Sequence, residues 1–291
     1  MKLATRLAFF AAGLAVSCWA PLVPLAKARI GANDALLGLV LLSIGIGSVI
    51  AMPFTGWLCA RQGSRSMIVT AGILMSLLIP FFVLAPTAST LAAGLFLFGA
   101  SLGTLDVAMN IHAVEVEKLE SRPLMSGFHG LFSLGGICGA GLMTLLLTLG
   151  VTPLVSVFLC SAITLAAILT AWPRLIPAKG ESVTYALPKG IVLLLAGLCA
   201  VTFLVEGAIL DWGALLSIQR RLTTQEGGGL GYLLFSTAMT LARLTGDGIV
   251  AKLGSRTILI GGGITAALGF VLLLLAPWAP MALCGFFLVG L

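Results

Sequence analysis

Long apolar runs alternate with short polar segments along this chain. The run from residue 190 to residue 217, for example, is longer than the twenty or so residues that a helix needs to cross the hydrocarbon core of a bilayer. In lipid, only helices and closed barrels satisfy all backbone hydrogen bonds, and barrel strands show short alternating segments instead of continuous runs. The pattern therefore predicts an all-α membrane protein.

The polar segments delimit nine complete runs and the start of a tenth. We expect membrane spans at 5–26, 35–60, 67–85, 91–113, 125–150, 154–172, 190–217, 229–250 and 258–275, with a tenth that begins near Met281. The first run has an alternative interpretation as a cleaved signal peptide, because Lys2 and Arg6 precede it and Ala26-Lys27-Ala28 follows it as a small-x-small site. The internal repeat described next favours a span.

An internal repeat is the most informative pattern in the chain. With a shift of 191 residues, positions 61–100 fall on 252–291, and 14 of these 40 positions are identical without a gap. The identities include the polar Gly-Ser-Arg loop that begins at Gly63, which shared apolar composition does not explain. With a shift of 193 residues, Trp19 falls on Trp212, so the first span pairs with the seventh.

The repeat predicts two parallel halves joined by a short polar connection. We expect a six-helix N-terminal half at 1–172, a cytoplasmic linker at 173–189 and an incomplete second half at 190–291. The second copy stops at the equivalent of Ala100, inside its fourth span. We therefore expect about nine and a half spans, with part of the tenth and two further spans missing.

Composition and charge support this interpretation. The chain is 59% hydrophobic and 9% charged with a mean hydropathy of +1.16, whereas soluble domains carry about 25% charged residues. If the N-terminus is cytoplasmic, eleven lysines and arginines lie in cytoplasmic segments and four lie outside, which follows the positive-inside rule for a bacterial inner membrane. This distribution explains the net charge of +6 without a nucleic-acid partner.

The sequence offers little for enzyme, metal or cofactor chemistry. The six cysteines form no CxxC pair and are interpreted as buried free thiols. The chain has no GxxxxGK[ST] phosphate loop and no HExxH motif. We therefore expect no cofactor, no metal and no enzyme activity.

The loop after the second span carries a family signature. It resembles the Gly-x-Leu-x-Asp-Arg-x-Gly-Arg-Lys/Arg motif of the major facilitator superfamily, with matches at Gly56, Leu58, Arg61, Gly63 and Arg65. Ala60 replaces the acidic residue of that motif and Ser64 replaces an arginine. The second copy is also partial and contains Asp247, Lys252, Gly254 and Arg256. The runs 105–117, 126–130 and 206–212 resemble a bacterial YbjJ-like branch of the superfamily.

The resemblance covers the whole chain and implies two pseudo-symmetric six-helix halves that work by alternating access. It implies a secondary transporter. Our own expectation is a monomer that carries a small polar solute, sugar-like or another metabolite, with proton symport as one form. The alternatives are efflux of amphipathic compounds and a membrane sensor that keeps the fold without transport. Because the second half lacks its final helices, we expect that the 291 residues by themselves do not complete a transport cycle.

Ionisable residues inside a span cost roughly 2.5–3.5 kcal/mol each on insertion scales, so they are functional candidates. Glu206 lies near the middle of the seventh span, and its repeat partner is Gly13, so the fold does not require an acid there. It is a candidate for solute binding or proton coupling, and the alternative is a helix–helix hydrogen bond.

Asp106 and Asn110 lie at positions i and i+4 of the fourth span and share a helix face. They could bind a polar solute, or they could form a structural network with His112 and His129. His129 itself is a candidate proton relay, and the alternative is a packing residue.

Two further groups complete the candidates. Trp19, Asp211 and Trp212 lie towards the outer ends of their spans, where they could stack on a sugar ring or anchor at the interface. A set of charged residues is predicted at cytoplasmic helix ends, where it could lock the halves together or only anchor the chain: Arg61, Arg65, Arg243, Asp247, Lys252 and Arg256.

The fifth span is rich in glycine. Gly135 and Gly139 form a small-xxx-small pair, which lets two helices approach closely. Antiporters of the superfamily often carry a proline in the related motif, and none occurs from 125 to 150, which argues mildly against drug antiport.

Overall fold

A computed structural model describes residues 1–121, 124–177 and 189–291. These residues form helices and turns and no strand. The helices are α1 (Lys2–Ser17), α2 (Val23–Arg29), α3 (Asp34–Gln62), α4 (Ser64–Leu78), α5 (Phe81–Leu84), α6 (Ala88–Glu120), α7 (Met125–Thr148), α8 (Pro153–Ala171), α9 (Ile191–Gln219), α10 (Leu230–Leu253), α11 (Ser255–Leu275) and α12 (Ala279–Gly290).

The helices have the length and surface of membrane spans. Eight helical segments of the described ranges are long and apolar enough to cross a membrane; α10 is also 24 residues long, and α12 is a shorter apolar helix of 12 residues. Large apolar side chains face outward, including Val49 and Phe203 with 69% and 73% of their surface exposed. Such a surface requires lipid. The prediction of an all-α, multi-pass membrane protein is confirmed.

Proline breaks two of the predicted spans. In the first, α1 ends at Ser17, and a 3-10 turn at Ala20–Leu22 precedes α2. Pro21 and Pro24 lack the backbone N–H that a continuous helix needs there. In the third, Pro80 lies between α4 and α5.

The predicted repeat reappears in the backbone. Gly63 separates α3 from α4 with φ 84° and ψ 154°, and Gly254 separates α10 from α11 with φ 80° and ψ 148°. A positive φ of this size favours glycine, so the two loops require the same residue for the same reason. The helix ends at Ala85 and Ala276 are also 191 residues apart, and they have φ of −61° and −59° with ψ of 118° and 119°.

Equivalent arginines tie the first span of each half to the third. Arg29 donates to the carbonyl oxygen of Val83 and to two neighbouring carbonyls at the end of α5. Arg220 donates to the carbonyl oxygen of Leu274 at the end of α11. The two donors are 191 residues apart, as are the two acceptors. A cation at the C-terminus of a helix satisfies carbonyls that lack helical partners.

Glycine lets α1 and α7 touch backbone to backbone. A Cβ atom at Gly135 would lie 2.2 Å from the carbonyl oxygen of Phe10, and one at Gly139 would lie 2.3 Å from that of Leu14. Both distances are shorter than any real Cβ contact. The close approach predicted from the small-xxx-small pair is confirmed.

Gly139→Ala is expected to lower the free energy of unfolding by roughly 1–3 kcal/mol, because the new methyl group overlaps the Leu14 carbonyl. Gly127 lies on the same helix, and no heavy atom lies within 4 Å of the place that a methyl group would take there, so it provides a matched control. Gly127→Ala should be neutral or slightly stabilising, since alanine has the higher helix propensity. Thermal unfolding in one detergent measures both variants, and equal melting temperatures would contradict the prediction.

Candidate functional site

The two halves meet along α7 and α10. A Cβ atom at Gly130 would lie 3.1 Å from the side chain of Leu244, and one at Gly141 would lie 3.3 Å from that of Leu233. The small residues of α7 therefore leave room for α10 along several turns. The same helix uses one face for α1 and another for the second half.

A small cavity with both polar and apolar side chains in its lining lies between the halves. Its lining comes from α1, α7, α9 and α10 and consists of Ser17, Phe132, Ser133, Gly136, Glu206, Tyr232, Ser236, Met239 and Arg243. About 10 Å³ is open to the centres of water molecules, which is roughly the space that one water needs. We call this set the central cluster.

Hydrogen bonds in the central cluster cross from one half to the other. Arg243 of α10 donates to the hydroxyl of Ser133 on α7 at 2.6 Å. The hydroxyls of Tyr232 on α10 and Ser17 on α1 lie 3.0 Å apart, and both side chains are buried. Tyr232, Ser236 and Arg243 share one face of α10, as their spacing of four and seven residues requires.

Glu206 faces Arg243 across this cavity without contacting it. Arg243 lies within electrostatic range of the Glu206 carboxylate, but no ion pair within 4.0 Å joins them among the described residues. The described residues also donate no hydrogen bond to the Glu206 carboxylate. Glu206 is at the middle of α9, and Arg243 is about 15 Å from the end of α10, so both charges lie deep in the membrane.

The repeat partner of Glu206 explains why only one half carries the acid. A Cβ atom at Gly13 would lie 1.9 Å from the carbonyl oxygen of Phe132, because α1 is pressed against α7 at this level. No side chain fits at Gly13, whereas Glu206 borders the cavity. The asymmetry of the repeat places the charge on one wall.

His129 lies beside the central cluster. Its ring contacts Phe9 edge-on, with 5.1 Å between the ring centroids, and Arg243 is within electrostatic range. The structure thus brings the candidates Glu206, Arg243 and His129 into one region. The sequence predicts that Arg243 lies at a cytoplasmic helix end, together with the other cations of that set. In the structure it lies about three turns inside α10.

Asp106 and Asn110 contact each other on α6, as their spacing predicts. The Asn110 amide donates to the Asp106 carbonyl oxygen at 2.9 Å and to its Oδ1 at 3.3 Å. No described hydrogen bond connects this pair to His112 or His129. The pair remains a candidate on its own helix.

His112 instead joins three separate segments. The backbone N–H of Ile176 donates to Nε2 at 3.1 Å, and Nδ1 lies 3.1 Å from the hydroxyl of Thr5. A backbone N–H can only donate, so Nε2 must be unprotonated and Nδ1 must carry the proton. This neutral imidazole is fully buried and holds α1, α6 and the segment after α8 together.

Trp19 and Asp211 link the turn after α1 to α9. The Trp19 indole N–H donates to Asp211 Oδ1 at 3.2 Å, and the indole is buried against Phe82 at 4.9 Å between ring centroids. Trp212 lines a different cavity of about 300 Å³, which is mainly apolar and lies between α9, α11 and Asp34.

The signature residues occupy the loop ends, where Gly63 and Gly254 form the turns and Gly56 is buried. Arg61 stacks over the Trp57 ring at 4.2 Å. The ion pairs found among the described residues do not include Arg61, Arg65, Lys252 or Arg256. The side chain of Asp247 lies outside the described part, so the charge lock remains a prediction.

Sequence reasoning missed the hydroxyl groups of the central cluster, which are Ser17, Ser133, Tyr232 and Ser236. Neutral hydroxyls carry no large insertion cost, so they do not stand out among apolar residues. Tyr232 offers one signal, since the chain contains only two tyrosines.

Known proteins resemble the chain along nearly its whole length. The family model "Major Facilitator Superfamily" matches residues 6–291. An uncharacterised MFS-type transporter of Yersinia pestis is 47% identical over 99% of this chain and 76% of its own length. An uncharacterised transporter of Sinorhizobium fredii is 34% identical over 97% of this chain and 76% of its own length. A crystal structure of a mutant nucleoside transporter NupG matches with a TM-score of 0.75 at 12% identity, covering 99% of this chain and 79% of that one, which shows the fold alone.

His112→Ala is expected to lower the free energy of unfolding by roughly 1–3 kcal/mol, because the Ile176 N–H loses its acceptor. His112→Gln should lose less, since its amide can accept from Ile176 and donate to Thr5. Protonation at Nε2 removes the acceptor, so the stabilisation is present at higher pH and is lost as the pH falls. Melting temperatures measured against pH test this, and an identical pH dependence in wild type and His112→Gln would contradict it.

The bond between Trp19 and Asp211 is expected to couple the two halves by about 0.6 kcal/mol, the average that double-mutant cycles give for hydrogen bonds inside membranes. A double-mutant cycle with Trp19→Phe and Asp211→Ala measures this energy as a difference in unfolding free energy. Asp211→Asn, which keeps an acceptor oxygen, is the matched control and should retain most of the coupling. Additive effects of Trp19→Phe and Asp211→Ala would refute the link.

Proposed function

The chain belongs to the major facilitator superfamily, and from this premise we propose that its central cluster binds a small polar solute and exposes it in turn to the two sides of the membrane. Membership in the superfamily makes the chain a secondary transporter rather than an enzyme.

One observation carries the assignment of the site. An acid and a guanidinium group face the same cavity deep in the membrane, at the interface of the halves. Charges at that depth are costly and mark solute or ion pathways. Binding sites of such carriers lie near the bilayer midplane between the repeats. Ser17 and Ser133 belong to one half, and Glu206 and Arg243 belong to the other, so a solute here would touch both.

The lining favours a polar solute. Four hydroxyls, a carboxylate and a guanidinium converge on the cavity, while Phe132 and Met239 supply its apolar surface. A few convergent polar groups on an otherwise apolar wall are typical of sites that orient a small molecule.

A second candidate function is efflux of amphipathic compounds. The cavity of about 300 Å³ beside Trp212 and Phe270 favours it, because apolar side chains dominate its lining. That cavity takes nearly all of its lining from α9 and α11 of one half. A site that serves alternating access should touch both halves, so the central cluster is the stronger candidate.

We further propose that the N-terminus is cytoplasmic in a bacterial inner membrane, which the distribution of lysine and arginine supports. Glu206 is the first candidate for a coupling proton, since its carboxylate borders the solute space. Asp106 is the second, on the fourth span.

Binding can be tested separately from transport. Sugars, nucleosides, amino acids and organic acids are screened for thermal stabilisation of the purified protein. Glu206→Gln and Arg243→Gln should each weaken the affinity for the stabilising solute by at least about tenfold, the size of a lost charged hydrogen bond. Glu226→Gln, an exposed acid after α9, is the control and should bind as wild type does. Unchanged affinity in both cavity variants would exclude the central cluster.

A coupling proton on Glu206 makes solute affinity depend on pH. The affinity of the wild type should then change between mildly acidic and mildly alkaline pH, whereas that of Glu206→Gln should stay constant. Asp106→Asn distinguishes the second candidate in the same titration. A pH dependence that persists unchanged in both variants would exclude both carboxylates.

A further inference from the structure

We propose that the solute is a small zwitterion whose carboxylate binds Arg243 and whose ammonium group binds Glu206. This inference rests on the solute site proposed above and adds the chemical class of the solute.

Glu206 and Arg243 carry opposite charges and border the same cavity, but they lie apart. Opposite charges attract strongly in a medium of low dielectric constant, so an acid and a guanidinium in one cavity should close into an ion pair unless something holds them apart. Arg243 is held to α7 by its bond to Ser133 at 2.6 Å, and Glu206 projects from α9. Within the described residues they form no ion pair, so a gap lies between them.

Arg243 and Glu206 both have hydrogen-bonding atoms that no described residue engages. A guanidinium group has five N–H donors, and among the described residues only the bond from Arg243 to Ser133 is found. The remaining donors can engage both oxygens of a carboxylate, for which their planar arrangement is suited. The Glu206 carboxylate accepts no hydrogen bond among the described residues, so it can accept from an ammonium group.

The opposite charges of Glu206 and Arg243 favour a solute that carries both signs of charge. A zwitterion pairs both groups and adds no net charge to the membrane interior. An anion would pair with Arg243 but place a second negative charge near Glu206. A cation would pair with Glu206 but place a second positive charge near Arg243. A neutral sugar would leave both charges of the cavity without an ionic partner, which is costly in a low-dielectric site.

The volume of the cavity limits the size of the solute. The cavity now has room for about one water, so solute entry requires the halves to separate. Phe132 and Met239 then border the opened space and can contact the apolar part of the solute. Small amino acids fit this description.

The probes for the test are the twenty common amino acids, their N-acetyl derivatives, their amides, and the neutral compounds glucose and adenosine. An N-acetyl derivative keeps the carboxylate alone, and an amide keeps the ammonium group alone. Thermal stabilisation and calorimetry on the purified protein give the affinities. We expect at least one amino acid to bind, and both of its derivatives to bind at least about tenfold more weakly, because each leaves one charged group of the site unpaired.

The variants test the pairing in a way that a purely structural role would not reproduce. In Glu206→Gln, the N-acetyl derivative should gain affinity relative to the parent amino acid. In Arg243→Gln, the amide should gain in the same way. A structural defect would weaken all three compounds alike, and Glu226→Gln should change none of them.

The outcomes separate this inference from the proposed site. If a neutral compound binds and the Glu206 and Arg243 variants abolish its binding, the site is correct and the zwitterion is wrong. If an amino acid binds with the same affinity in both variants, the site is wrong. If no compound of any class binds, both proposals are overturned.

Discussion

A charged or polar group inside a bilayer must find its partners within the protein, and this constraint decides most of the side-chain structure here. Asp211 accepts from Trp19, Asn110 donates to Asp106, and Arg243 donates to Ser133. Glu206 differs from these three groups, since no hydrogen bond to its carboxylate is found among the described residues. The hydroxyls of Ser64 and Thr144 are also buried there without a hydrogen-bond partner. The absence of a partner for the half-buried charge of Glu206 supports the solute site proposed above.

The two copies of the repeat share their frame and differ at their site. The frame includes the turns at Gly63 and Gly254 and the arginine caps at Arg29 and Arg220, all in 191-residue register. The difference appears at Glu206, whose counterpart is a glycine pressed against α7. The two copies have equivalent turns and caps, and only the second copy carries an acid at this position.

The sequence predicts the features that depend on local pattern or on a high energetic cost. Apolar length predicts the spans, identity under a shift predicts the equivalent loops, and insertion cost singles out Glu206. It does not predict Tyr232 or Ser133, because a neutral hydroxyl in an apolar helix costs little and its partner lies on another helix. In the sequence, Arg243 is close to Lys252 and Arg256, so it is grouped with the cations near the loop after α10. In the structure, about three turns of helix separate it from that loop.

Hydrogen bonds and helix packing join the two halves, and each hydrogen bond contributes little free energy. These contacts include the bond from Trp19 to Asp211, the bonds of the central cluster, and packing of α10 against the glycines of α7. Hydrogen bonds inside membranes average about 0.6 kcal/mol, so opening one side of the interface breaks bonds worth only a few times thermal energy. A solute that pairs with groups on both walls can replace those bonds. In the proposed cycle, the same polar groups would hold the halves together when the site is empty and would bind solute when the halves separate.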